Sequence, residues 1–143
     1  MPLKNIPDSI TPELLYALAR MGHGDSIVIA DANFPSDSVA AECILKEPIR
    51  VRGSTTDILR DVLHLLPLDS YSDHPVMVMD RVQSDKERNL EVVAYNIIKA
   101  VANRDIHHVE RFLFYEKSKK AFCIVQTDDR KPYANVIVQK GVL

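Results

Sequence analysis

The segment Ser26-Ile27-Val28-Ile29-Ala30-Asp31 is the part of the sequence most informative about the fold. Its apolar residues follow one another without interruption, whereas a strand with one face in water alternates apolar and polar side chains. A strand that helices cover on both faces, as in a mainly parallel sheet, has this continuous pattern. We therefore predict a buried central strand at 26–30 that ends in a loop at Asp31.

A helix is predicted immediately before this strand. In Thr11-Pro12-Glu13 the threonine can cap a helix, proline suits the first turn, and the acid lies at the positive end of the helix dipole. Gly22 is expected to end the helix in a left-handed conformation. The apolar residues recur at helical spacing, at Leu14, Leu15, Leu18 and Met21.

The rest of the chain continues the alternation of helices and strands. Further strands are predicted at 48–52, 75–79, 121–126 and 134–139, with a turn at 127–132. A helix capped by Thr55 or Thr56 should run to Leu66, and a long amphipathic helix should span 86–101, while 111–120 is ambiguous between helix and extended chain. The pattern predicts a single α/β domain over 1–143, with three α/β/α layers around a central, largely parallel or mixed sheet.

Composition excludes several classes of protein. With 143 residues, 18 basic and 20 acidic, the formal net charge is −2, so we expect no broad attraction to nucleic acid or to an anionic membrane. No apolar stretch approaches a membrane span, and none resembles a secretory leader. Cys43 and Cys123 form no C-x-x-C pair, so we expect two small core residues in a cytoplasmic protein.

His23 is the first candidate for chemistry. It lies in Met21-Gly22-His23-Gly24-Asp25, a tight turn between a helix and the central strand. An imidazole ordinarily titrates at ~6.5, which suits proton transfer near neutral pH. The alternative is a turn histidine bonded to nearby backbone.

Asp31 is the second candidate, because open α/β sheets hold ligands at the carboxyl ends of their strands. The alternative is an aspartate that caps its own loop, as in Asp-x-Asn turns. Tyr133 and Asn135, spaced two apart on an extended chain, would project to the same side and could bind sugar hydroxyls. Strand-edge packing is the alternative for this pair.

The remaining candidates are weaker. Arg111 is either a solvated charge or a ligand-binding group, and its neighbours Phe112 and Phe114 suggest packing. We expect the other histidines to be surface residues: His64, His74, His107 and His108. No metal-ligand spacing, dinucleotide fingerprint, phosphate loop or nucleophile elbow is present.

Several segments together resemble the family of fucose mutarotases and ribose pyranases. In order along the chain they are Leu3-Lys4-Asn5-Ile6, Thr11-Pro12-Glu13-Leu14-Leu15, Met21-Gly22-His23-Gly24-Asp25, Ala30-Asp31-Ala32-Asn33-Phe34-Pro35, Leu68-Asp69-Ser70-Tyr71, Arg111-Phe112 with Phe114-Tyr115-Glu116, and Tyr133-Ala134-Asn135 with Lys140-Gly141-Val142. The stretches 33–35 and 111–116 resemble the fucose branch.

The resemblance implies an enzyme that interconverts the anomers of a free monosaccharide, and its fucose-branch segments favour fucose as that sugar. It implies no metal or organic cofactor, and ring-shaped oligomers, commonly decamers, with sites at subunit contacts. His23 matches the proton donor, Asp31 and Arg111 match sugar-binding positions, and Tyr133-Ala134-Asn135 matches the sugar-binding tripeptide. We therefore expect His23 to lie near the site that Asp31 helps to form, within one subunit or across two.

Two departures leave the sugar open. After Arg50 the fucose branch usually carries Ala-Asp-Gly, where this chain has Val51-Arg52-Gly53, and 80–103 matches poorly. The alternatives are a ribose-type pyranase, against which Arg111 and Phe114-Tyr115 argue, and a sugar-binding module without catalysis. Loss of His23 would distinguish an enzyme from a binder.

Overall fold

Six strands and six helices make up the protein, as a computed structural model that describes residues 2–143. The helices are α1 Pro12–Arg20, α2 Ser36–Ala40, α3 Thr55–Leu65, α4 Gln83–Glu87, α5 Val93–Ala102 and α6 Arg111–Lys119. The strands are β1 Ser26–Ala30, β2 Ile49–Arg50, β3 Val76–Met79, β4 His107–Val109, β5 Cys123–Gln126 and β6 Val136–Gln139.

The strands form one mixed sheet in the order β2-β5-β1-β6-β3-β4. The pairs β1–β5, β2–β5 and β3–β4 are parallel, and β6 is antiparallel to both β1 and β3. Five strands therefore run in one direction and β6 runs in the other. We call the edge where those five strands end the carboxyl edge; β6 begins there and ends at the opposite, amino edge.

Both faces of the sheet are covered, as the apolar run of β1 predicts. Ile27 and Ile29 pack in a core with α1, α3 and α5, while Val28 and Ala30 pack with α2 and α6 on the other face. All four side chains are fully buried. The predicted three-layer α/β/α fold with a mixed sheet is confirmed.

The predicted start of α1 is confirmed, and its predicted end is wrong. The Thr11 hydroxyl accepts a hydrogen bond from the Leu14 amide at 3.2 Å. The helix ends through Met21, which is extended, and the positive φ that the turn needs falls on Gly24 (+88°) rather than on Gly22. The cap of α3 is likewise Ser54, whose hydroxyl binds the Asp57 amide at 3.1 Å, rather than Thr55 or Thr56.

The predicted long helix over 86–101 is wrong, because two shorter helices occupy this region. Asn89 takes a left-handed conformation (φ 54°), which ends α4, and Val92 is extended before α5 begins. Asparagine is one of the few residues that adopt this conformation readily. The apolar spacing continues across the break, but α5 buries Ala94 and Ile98 and leaves Val93 exposed.

The remaining differences concern short elements. The helix α2 and the strand β4 were not predicted. The ambiguous segment 111–120 forms the helix α6, and the Glu110 carboxylate caps its N-terminus by accepting a hydrogen bond from the Leu113 amide at 2.9 Å. Both cysteines are free and buried, as expected. None of the helices within residues 2–143 has the length and apolar character to cross a membrane.

Candidate functional site

A cavity of about 380 Å³ opens at the carboxyl edge, between the ends of β1, β3 and β4 and the start of β6. Its volume falls within the usual range for small-molecule sites. The polar side chains that line it are Asp31, Asn33, Asp85, Arg111, Tyr115, Tyr133 and Asn135, and the apolar ones are Phe34, Met79, Val82 and Pro132. Strands from distant parts of the sequence end together here, which brings these residues to one place.

Asp31 and Asn135 form a reciprocal pair at the base of this cavity. The Asp31 amide donates to the Asn135 side-chain oxygen at 2.8 Å, and the Asn135 amide group donates to the Asp31 carboxylate at 3.1 Å. The other carboxylate oxygen of Asp31 accepts the Asn33 amide at 2.9 Å. Burial raises the pKa of the Asp31 carboxyl, against the opposing effect of these hydrogen bonds.

This geometry joins both interpretations of Asp31. The carboxylate does cap its own loop, as the Asp-x-Asn alternative predicted, and the same side chain lines the cavity. With only 5% of Asp31 and 3% of Asn135 exposed, a ligand would meet two groups whose orientations are already fixed.

Tyr133 is held by contacts that the sequence analysis did not anticipate. Its hydroxyl donates to the Asp85 carboxylate at 2.5 Å and accepts the Val82 amide at 3.1 Å. Burial and the bond to Asp85 raise the pKa of Tyr133, and the same bond holds the pKa of Asp85 below its ordinary value. Tyr133 thus links α4 to the wall of the cavity.

The prediction that Tyr133 and Asn135 share one side of an extended strand is wrong. Tyr133 is left-handed (φ 58°), the Asn135 amide donates to the Tyr133 carbonyl at 2.8 Å, and β6 begins only at Val136. A tight turn brings both side chains to the cavity instead. Ala134 lies in the core, fully buried, and does not line the cavity.

Arg111 lies at the mouth of the cavity, on the first turn of α6. Its Nε donates to the Tyr115 hydroxyl at 3.1 Å, and its guanidinium lies 5.6 Å from the centre of the Tyr115 ring. The bond to Tyr115 raises the pKa of Arg111. Tyr115 in turn packs edge-on against Phe34, with ring centres 5.5 Å apart. A cation and an aromatic wall therefore line the same cavity as the Asp31–Asn135 pair.

His23 lies at the other end of β1 and does not line this cavity. The five residues of β1 span roughly 16 Å, so within one chain His23 and Asp31 are at opposite edges of the sheet. The structure therefore brings Asp31, Arg111, Tyr133 and Asn135 together and leaves His23 apart.

The His23 side chain is bonded to a carboxylate rather than to nearby backbone. Its Nε2 lies 3.0 Å from Asp69 Oδ1, and the side chain of His23 is 46% exposed while that of Asp69 is 7% exposed. The amides of Tyr71 and Ser72 donate to the same carboxylate at 3.1 and 3.2 Å. The Tyr71 amide is the main cause of a pKa for Asp69 below its ordinary value.

This pair leaves one imidazole nitrogen of His23 facing solvent. Asp69 is ionised at neutral pH and can only accept, so Nε2 carries the hydrogen of the bond. Nδ1 is then the nitrogen that remains free to exchange a proton with a ligand. Tyr71, whose ring centre lies 5.4 Å from that of His23, is exposed beside it.

Several residues of these two sites were not predicted as functional candidates, among them Asp69, Asp85 and Phe34. Asp69 and Phe34 occur in the quoted segments of the family resemblance, which was a usable signal. Asp85 lies in the poorly matching stretch 80–103 and carries no signal, because its role depends on where α4 packs. No group of three or more His, Cys, Asp or Glu side chains within residues 2–143 is arranged to hold a metal ion.

Comparisons with known proteins show the family to which the chain belongs. Residues 4–143 match the family described as the RbsD / FucU transport protein family. The chain is 46% identical to a fucose mutarotase of Mus musculus, over 99% of this chain and 95% of that protein.

Two solved structures are similar throughout. The FucU of Bifidobacterium longum superposes with a TM-score of 0.88 at 37% identity, over 98% of this chain and 99% of that one. The fucose mutarotase of Streptococcus pneumoniae in complex with L-fucose superposes with a TM-score of 0.80 at 39% identity, over 99% of both chains. The chain therefore belongs to the RbsD / FucU transport protein family.

Proposed function

We propose that this protein is an isomerase, a mutarotase that interconverts the α and β anomers of free fucose, within one domain over 1–143. The observation that carries the proposal is the convergence of Asp31, Arg111, Tyr133 and Asn135 on one cavity of about 380 Å³. Carboxylate, guanidinium, phenol and amide groups are effective partners of sugar hydroxyls, and the apolar wall suits the C–H face of a pyranose. The similarity to fucose mutarotases supports the choice of reaction.

The proposed reaction opens and closes the hemiacetal. A proton leaves the anomeric hydroxyl, another reaches the ring oxygen, and the bond from that oxygen to C1 breaks to give the open aldehyde. Rotation about C1–C2 and reclosure on the other face of the carbonyl give the second anomer. The reaction changes no oxidation state, so it needs no oxidant or reductant. In this proposal His23 delivers and removes the proton at Nδ1, with Asp69 holding the imidazole, and the cavity residues bind the sugar.

Saturation-transfer NMR tests this function directly, because it follows exchange between the two anomeric signals. Micromolar protein should accelerate exchange of fucose, and that of ribose less, with no metal or nucleotide added. Unchanged exchange for both sugars would reject the enzyme, and a larger effect on ribose would favour the pyranase alternative. Fucose binding without faster exchange would favour a binding module.

We further propose that the complete site forms between two copies of the chain. His23 and the cavity lie at opposite edges of the sheet, so His23 of one copy can reach the cavity of another but not its own. Exposed apolar side chains lie at both places: Tyr71 beside His23, and Phe112 and Leu113 beside Arg111. Contact between two different edges is head-to-tail, and such contacts form a ring where the rotation between neighbouring copies closes. The family resemblance supports a decamer, and the buried free cysteines support a cytoplasmic location.

Mixing two inactive variants tests the shared site. His23→Ala keeps the cavity, and Asn135→Ala keeps His23, so in mixed oligomers about a quarter of the sites would pair two intact halves. Co-refolding the two variants should therefore restore part of the activity. If each chain holds a complete site, the mixture stays inactive. Light scattering from the same sample gives the number of copies.

A further inference from the structure

We propose that Lys140 and Gly141 are positioning residues that hold His23 and Asp69 in register with each other. The inference rests on the proposed role of His23 in proton transfer. These two residues follow β6 directly and lie at the amino edge, where neither lines the cavity. Each of them contacts the segment that carries one member of the pair.

Lys140 holds the turn that carries His23. Its Nζ donates to the carbonyls of Met21 at 2.5 Å and Leu18 at 3.3 Å, at the end of α1. A cation suits this end of a helix, where carbonyl groups lack partners. The backbone of Lys140 adds two bonds of 2.8 Å: its carbonyl accepts the Gly24 amide and its amide donates to the Asp25 carbonyl. The turn is thereby attached on both sides of His23.

Gly141 holds the segment that carries Asp69. Its amide donates to the Pro67 carbonyl at 2.7 Å, and Leu68 pairs with Lys140 in an isolated antiparallel bridge. A Cβ on Gly141 would lie 2.7 Å from the Leu68 carbonyl oxygen and 2.8 Å from Asp69 Cα. Only glycine permits this approach, so any side chain here must displace the backbone of Asp69.

The two attachments are consecutive in sequence, which fixes their relative position. The turn with His23 and the segment with Asp69 come from distant parts of the chain, yet both are bonded to a single dipeptide. The 3.0 Å contact between His23 Nε2 and Asp69 depends on this common support. The contact selects one imidazole tautomer, in which Nε2 carries the hydrogen. Nδ1 is then available to the sugar.

Gly141→Ala tests the support on the Asp69 side. We expect turnover to fall about 10²-fold with little change in KM, as for a small displacement of a catalytic group. Long-range ¹H–¹⁵N NMR of neutral His23 should change from the Nε2–H tautomer to a mixture. Gly22→Ala is the matched control: its Cβ would meet only Asp25 Oδ2 at 3.7 Å, an ordinary contact, so both readouts should stay as in the wild type.

Lys140→Met tests the support on the His23 side and also covers the case in which Gly141→Ala fails to fold. It keeps most of the length of the side chain but removes the donor, whereas Lys140→Arg retains a cation that can donate to the same carbonyls. We expect a mixture of tautomers and a loss of turnover in Lys140→Met. In Lys140→Arg, the single Nε2–H tautomer and the turnover should both be restored. A lower melting temperature with unchanged tautomer and unchanged kcat would overturn the inference, leaving a purely structural role.

The tautomer measurement needs no sugar, which separates this inference from the proposed function. If the wild type fails to exchange fucose, the proposed function is wrong, and the NMR spectra of the variants still decide whether Lys140 and Gly141 position His23. If the wild type is active and the variants keep a single Nε2–H tautomer, the positioning role is wrong and the function stands.

Discussion

At the scale of single residues, His23 and Asn135 should affect different kinetic constants. His23→Ala removes the proposed proton-transfer group and leaves every cavity residue in place, so turnover should fall ~10²–10⁴-fold while sugar affinity changes little. Saturation-transfer NMR gives the rate, and titration of the sugar signals gives the affinity. His64→Ala, an exposed histidine on α3, is the control and should match the wild type. Wild-type turnover in folded His23→Ala would move the acid–base role to Tyr133 or Asp31.

Asn135→Ala should show the reverse balance. It removes both hydrogen bonds between Asn135 and Asp31 and leaves the buried carboxylate with fewer partners, so sugar affinity should fall at least as much as turnover. The same titration checks this. A variant with unchanged affinity would mean that the pair only supports the loop after β1.

Asp85 offers a test of the contact that sequence could not reveal. Asp85→Asn replaces a charged acceptor of the Tyr133 hydroxyl by a neutral one, so the pKa of Tyr133 should fall toward its ordinary value. Because the tyrosine is then held less firmly, sugar affinity should drop by roughly fivefold. NMR of ring-labelled tyrosine follows the titration, and calorimetry follows the affinity.

Arg88→Met is the matched control for Asp85→Asn. It removes the arginine that binds the same carboxylate at 3.0 Å and leaves the bond between Asp85 and Tyr133 intact. Affinity near that of the wild type is expected for this variant. Equal losses in both variants would point to α4 as a whole rather than to the Tyr133 contact.

At the scale of elements, the end of α5 is sensitive to one backbone conformation. Asn103 follows the helix in a left-handed conformation (φ 52°). Asn103→Ala should lower the free energy of unfolding by about 1 kcal/mol, because a Cβ disfavours this region and alanine lacks the local bonds of asparagine. Urea unfolding measures the change. Asn103→Gly should stay close to the wild type, and Asn96→Ala, inside α5 and exposed, should not destabilise the protein.

Elements with a clear pattern of apolar residues could be predicted from the sequence. Boundaries that depend on the backbone conformation of a single residue could not. The apolar run of β1 predicted both its burial and the helices on either face. The break between α4 and α5 was hidden because Leu90, Val93 and Ile97 continue the helical spacing across it. Only the left-handed Asn89 and the extended Val92 reveal it.

The candidate site was predictable to a similar extent. Asp31 and Asn135 were found from their places next to strands, although the turn at Tyr133 was not. The separation of His23 from Asp31 follows from their places before and after β1, which the sequence predicted as a strand. The position of Asn135 beside Asp31 depends on the antiparallel direction of β6, which its composition does not reveal.

At the scale of the whole molecule, carboxylates determine stability in acid. The pKa values of Asp69, Asp85 and Glu110 lie below their ordinary values, held there mainly by the Tyr71 amide, the Tyr133 hydroxyl and the Leu113 amide. A carboxyl whose pKa is lower in the folded protein than in the unfolded chain stabilises the fold at any pH above the unfolded-state pKa. That stabilisation is lost as the pH falls through the folded-state pKa. Stability should therefore decrease below about pH 4.5. Asp31, whose pKa is raised, acts in the opposite direction as a single group.

Melting temperatures across the acid range measure this dependence. Asp69→Asn should flatten the decline, whereas Asp73→Asn, an exposed carboxylate in the same loop, should not. A melting temperature that stays constant between about pH 6 and about pH 3 would contradict the assignment of these carboxylates.

The central position of β6 governs the order in which the chain can fold. It is the last of the six strands to be synthesised, yet it joins β1 to β3. Before β6 leaves the ribosome, the earlier strands can form only two separate pieces, β2-β5-β1 and β3-β4, each with an unpaired edge. Because β6 also connects Asn135 to Lys140, both the cavity and the support of His23 are completed in the same late step. A nascent chain therefore acquires neither half of the site until its sheet has closed, and until then its unpaired strand edges are prone to aggregation.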